Sequence, residues 1–205
     1  MNLFVKIPVM DVENPFRALN IISLSKFSLE LGTMSNAVRT ALRSEIELTR
    51  EKFHRFLVTI PDDTLRLPSR DPGWTNGELL YQMSTSPRII KSFLKNLARE
   101  NTRFHYVSKA ITGPLIQKTN ELFIRSRGHQ ITRWLIAEEY DNTSALVLEL
   151  LDEVCDDDFE KKLTLPDLDP LLSGQVTVES IFHYVKNHFY AYRNQIHVVR
   201  KLSQS

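Results

Sequence analysis

Cysteine is all but missing from this chain. The one that is present, Cys155, excludes an internal disulfide and any cysteine-rich zinc module. It is followed by Asp156, Asp157 and Asp158, a setting that disfavours a reactive nucleophile. Net charge is nearly absent too. With 26 Lys+Arg against 25 Asp+Glu, no overall field draws the protein to nucleic acid or to an anionic membrane face. No apolar run approaches the roughly 18–20 residues that a membrane-crossing helix needs. The opening MNLFVKIPVMDVENPF breaks its apolar residues with Lys6, Pro8, Asp11 and Glu13, unlike a secretory signal or a transit peptide. GxSxG, the phosphate-binding Gly-rich loop and HExxH are lacking, as are paired carboxylates on one core-facing stripe. These absences predict a cytoplasmic protein with neither nucleic acid nor membrane as partner.

What is there is ordinary globular material: 205 residues, 42% apolar and 25% charged, enough for one substantial core. Met34 stands directly before the first strongly periodic segment, so residues 1–33 read as an N-terminal extension and 34–205 as the domain. From Ser35 to Ile60 apolar residues recur at helical spacing, and Pro61 ends the run. A second helix opens at WTNGELLYQM, where Thr75 and Glu78 have the spacing of a capping box. Pro87 should kink or split it before about Arg99. Residues 100–131 read as a loop with one short helix. A third long helix is expected from Thr132 to near Cys155, with Trp134 in its stripe, and then an acidic loop through LPDLDPLLSG. Thr177 caps a last helix, TVESIFHYVKNHFYAYRNQIHVVRKL. No segment alternates convincingly as a strand. The fold expected is all-α, an antiparallel four-helix bundle with a long crossover before its last helix.

Three of the six histidines crowd into that last helix, and orientation separates them. On one continuous wheel, His188 and Tyr192 fall with Ile181, Val185 and Ile196 in a sector of roughly 80°. His183 and His197 fall about 160–200° from Ile181 and should face solvent. His183 and His188 are therefore not a chelating pair, which needs i,i+3 or i,i+4 spacing. His188 reads as a buried histidine with a polar partner, for which Gln195 is a candidate. His54, His105 and His129 read as isolated surface residues. Trp74 and Trp134 can line a pocket, although core packing is their commoner role. Tyr184, Tyr190 and Arg193 form the outer side of the last helix, where a homodimer interface is expected.

The motif PGWTNGELLYQM, the last-helix run IFHYVKNHFYAYRNQIHVVR and the helix order together resemble the DinB-like superfamily, which includes bacillithiol S-transferase-like and mycothiol-dependent maleylpyruvate isomerase-like proteins. The resemblance spans residues 35–203. It implies a four-helix bundle, often dimeric, with three histidines holding a divalent metal at one end of a pocket. Laid on this chain, the second-helix position falls on Gln82 and the HxxxH pair on His188 and Tyr192. One ligand of three remains, so a tightly bound transition metal is not expected; zinc and nickel favour nitrogen and sulfur donors. The resemblance then implies a degenerate metal site in a small-molecule-binding or stress-associated interaction module. Two alternatives stay open: a metal-dependent thiol transferase or hydrolase with an atypical zinc or nickel site, and a purely structural dimerising bundle.

Overall fold

The computed structural model describes residues 15–97, 118, 121–165 and 169–197, with side chains placed at 36–95, 118, 121–128, 130–165 and 169–197. Most of these residues are helical, and one small antiparallel sheet accompanies the helices. The helices are α1 (Pro15–Val58), α2 (Asn76–Thr85), α3 (Ile89–Leu97), α4 (121–127), α5 (Arg133–Glu153), α6 (Val178–Phe182) and α7 (Tyr184–Arg193). The strands are β1 (Lys162–Leu165) and β2 (Gly174–Thr177), which pair antiparallel with Lys162 opposite Thr177.

Local chemistry accounts for most of the boundaries. Thr75 accepts from the Glu78 N–H while the Glu78 carboxylate accepts from the Thr75 N–H, so both orphan donors at the start of α2 are satisfied. The turn before it places Gly73 at φ +91°, and the Trp74 N–H donates to the Asp71 carbonyl at 3.2 Å. A side chain at that backbone conformation would be strained, which explains Pro72-Gly73 there. Pro87 lies in a short 3-10 turn, Ser86–Arg88, that separates α2 from α3. Thr132 caps α5 by accepting from the Leu135 N–H, and Thr177 caps α6 by accepting from the Ser180 N–H.

The structure departs from the expectations in four places. α1 begins at Pro15, twenty residues before the expected start, and runs through position 34 without interruption. Residues 1–14 of the expected extension lie outside the described residues, as do 98–99 at the end of the expected second helix and 100–117 and 119–120 of the expected loop, including His105. The acidic segment after α5 contains a hairpin. Its strands are only four residues long, too short for alternation to show in sequence. The last helix is two helices, broken at His183. Trp134 is not in the core: it is 71% exposed, in the first turn of α5.

Two apolar clusters make up the interior. One gathers Leu42 and Ile46 of α1, Phe93 of α3, Val147 and Leu151 of α5 and Phe182 of α6. The other gathers Phe53 and Leu57 of α1, Leu80 of α2, Ile136 and Tyr140 of α5 and Phe189 of α7. α7 spans the boundary, since Val185 belongs to the first and Phe189 to the second. His188 therefore stands at the junction of two greasy regions.

Candidate functional site

α7 is fastened at both ends. At its start, His183 bonds through Nδ1 to Glu45 of α1 at 2.6 Å, and Lys186 donates to the same carboxylate at 2.6 Å. Burial raises the Glu45 pKa, but these two hydrogen bonds and the neighbouring positive charge outweigh it and hold the carboxyl below its ordinary value. His183 is thus a half-buried tether rather than a solvent-facing side chain. The wheel places it on the face of Lys186, and that face is met by Glu45 of α1, a partner that a wheel of one helix does not show.

At the far end, Asn76 does the fastening. Fully buried at the start of α2, its amide donates to the carbonyls of Thr64 and His197, each at 2.9 Å, and its Oδ1 accepts from the His197 N–H at 2.9 Å. The Arg70 N–H adds a bond to the Gln195 carbonyl at 2.8 Å. The contacts to His197 span 121 residues of sequence, so no local pattern announced Asn76.

Between the tethers, one stripe of α7 carries Tyr184, His188 and Tyr192 at i,i+4 spacing. Their rings form a column, with Tyr184 to His188 at 5.1 Å and His188 to Tyr192 at 4.4 Å between centroids. His188 is 1% exposed, and neither of its ring nitrogens has a hydrogen-bond partner among the described residues. Burial pushes its pKa down to about 4, against a smaller opposing pull from the Asp169 charge. The imidazole is neutral at physiological pH, offering one N–H donor and one bare acceptor.

Asp169, from the hairpin loop, was not singled out in the sequence. Its Oδ2 accepts from the Tyr184 hydroxyl at 2.6 Å, and its Oδ1 accepts from the Leu171 N–H at 2.8 Å. Burial and that carboxylate drive the Tyr184 pKa far upward. Tyr184 is accordingly a buried anchor, which corrects its expected place on an outer partner surface; Tyr190 and Arg193 are exposed. Burial, with Asp169 and Asp71, also raises the Tyr192 pKa.

Of the three positions singled out by resemblance, the structure brings His188 and Tyr192 together. Gln82 is half-buried on α2, and no hydrogen bond joins its side chain to either. Gln195 lies in the turn after α7 with its Oε1 buried and unpartnered, so it does not satisfy His188. The donor chemistry does not fit a tight transition-metal site. A phenol with a raised pKa resists becoming a phenolate, and a carboxamide is a weak ligand beside a single imidazole. Among the described residues there is no group of three or more His, Cys, Asp or Glu side chains that could hold a metal ion.

No family model matches the sequence, and no curated protein matches it. Two solved structures are similar in fold. An uncharacterised protein from Clostridium difficile 630 is 15% identical with a TM-score of 0.54, over 77% of this chain and 92% of that one. A protein from Streptococcus pneumoniae is 13% identical with a TM-score of 0.53, over 77% of this chain and 87% of that one. At such identities the likeness concerns the fold alone. Among the described residues no helix is long and apolar enough to cross a membrane.

Proposed function

We propose that this chain is a DinB-like four-helix bundle that has lost the metal site of that superfamily and serves as a small-molecule-binding or interaction module. The packing of α1 and α2 against both α5 and α7, with α3 against α5 and α6, supports the bundle reading. The observation that carries the function is His188. It occupies the first position of the implied HxxxH pair, yet it is buried between two tyrosine rings with both nitrogens unpaired.

A buried polar atom without a partner costs about 1–3 kcal/mol, so two on one ring leave a strong call for a hydrogen-bonding guest. A neutral imidazole suits a small polar molecule with its own donor and acceptor. It suits metal-dependent catalysis poorly, since the positions that would complete the ligand set hold a carboxamide and a phenol. Elemental analysis of protein purified without affinity-tag nickel, followed by zinc and nickel titration, tests this reading. The expected outcome is no stoichiometric uptake at micromolar metal. Stoichiometric metal that disappears in His188→Ala would overturn it in favour of an atypical metalloenzyme.

A further inference from the structure

We propose a second binding site, for an aromatic carboxylate or a similar flat organic anion, in the cleft where α1 ends beside the first turn of α5. It shares no lining residue with the His188 site and stands whether or not that reading holds. The cleft measures about 710 Å³, within the range of small-molecule sites. Leu57, Leu65 and Ala137 give it apolar lining.

Two large apolar side chains at this cleft are left in water. Trp134 is 71% exposed and Val58 72% exposed, and both line it. An indole this bare beside an apolar cleft offers a face for a planar ring.

The charges give the sign of the guest. Arg133 and Asp62 both line the cleft, but they are bonded to each other at 2.9 Å. Arg133 also donates to the Val58 and Ile60 carbonyls where α1 ends, so its fork is consumed in structure. His54 is occupied by Asp141 at 2.8 Å. Arg66 is different: it lines the cleft and is exposed, and no carboxylate pairs with it among the described residues. One uncompensated guanidinium beside an apolar wall and a free indole selects a flat anion over a neutral or cationic ring.

The probe is 1-naphthoate, titrated into the intact chain while the two tryptophan indole N–H signals are followed by NMR. The expected result is a saturable shift of the Trp134 signal with the Trp74 signal still, and a dissociation constant on the order of 0.1–1 mM. Arg66→Ala should weaken binding about fivefold and Trp134→Ala about tenfold, while 1-naphthalenemethanol should bind about fivefold more weakly than the acid. His188→Phe should leave the titration unchanged. Equal binding of acid and alcohol, or full binding in Arg66→Ala, would overturn the proposal. So would naphthoate binding that disappears in His188→Phe but survives both cleft substitutions; that outcome would place the ligand at the first site and leave the small-molecule reading intact.

Discussion

Replacing His188 by phenylalanine should remove an acid sensitivity that the wild-type chain carries. The folded imidazole titrates near 4 because of its burial, against a value of 6.5 when unperturbed. Between those two values the unfolded chain binds a proton that the folded chain refuses. Stability contributed by this residue therefore rises with pH through that window and is flat above it. From these two values, the residue costs the fold about 2 kcal/mol at about pH 5 relative to about pH 8. Most carboxylates are still ionised at the lower of these pH values, so they obscure little of the effect. Urea unfolding of both proteins at both pH values isolates it, because the difference of differences cancels any change in packing from the larger ring. The pH-dependent loss should be smaller in His188→Phe by about 2 kcal/mol. An identical loss in both proteins would refute the reasoning and show that His188 is solvated or hydrogen-bonded when folded.

Three further outcomes follow from contacts described above. Asn76→Ala removes a side chain that bridges Thr64 and His197, and should cost about 2–3 kcal/mol in urea unfolding, with a loss below about 0.5 kcal/mol arguing against the clamp. Thr75→Ala opens the capping box of α2 and should cost about 1 kcal/mol, read as a lowered thermal midpoint. Arg39→Ala removes the hydrogen bonds to the Leu151 and Val154 carbonyls at the end of α5 and the contact with the Asp156 carboxylate, for a loss of about 1–2 kcal/mol that added salt should not abolish, since two of the three acceptors are uncharged.

How much of this was legible in sequence depended on the range of the determining contact. The Thr75–Glu78 box, the Thr177 cap and the split at Pro87 are set by residues a few positions apart, and each is visible in the chain itself. The i,i+4 register of His188 with Tyr192 survives for the same reason, as both lie within α7. The break at His183 has no proline or glycine to announce it, and there the chain is held by Glu45 from α1. Tyr184 lies within α7 only about 40° from His188, so its burial follows the same stripe, and Asp169 from the hairpin loop, which no local pattern shows, accepts from its hydroxyl. Trp134 has apolar character, but at about 100° per residue it falls on the face of α5 opposite Ile136, Tyr140 and Val147, so the indole is left in water.

The column of rings on α7 makes His188 its own reporter. Aromatic rings carry circulating π electrons that alter the magnetic field above and below their planes, and this imidazole has a tyrosine ring near it on each side. Its carbon-bound protons should resonate away from those of the exposed His197, and should stay put as the pH is lowered towards 5. A guest entering beside the ring must disturb that tilted column. Its arrival would therefore register as a displaced resonance, visible without knowledge of the guest's chemistry.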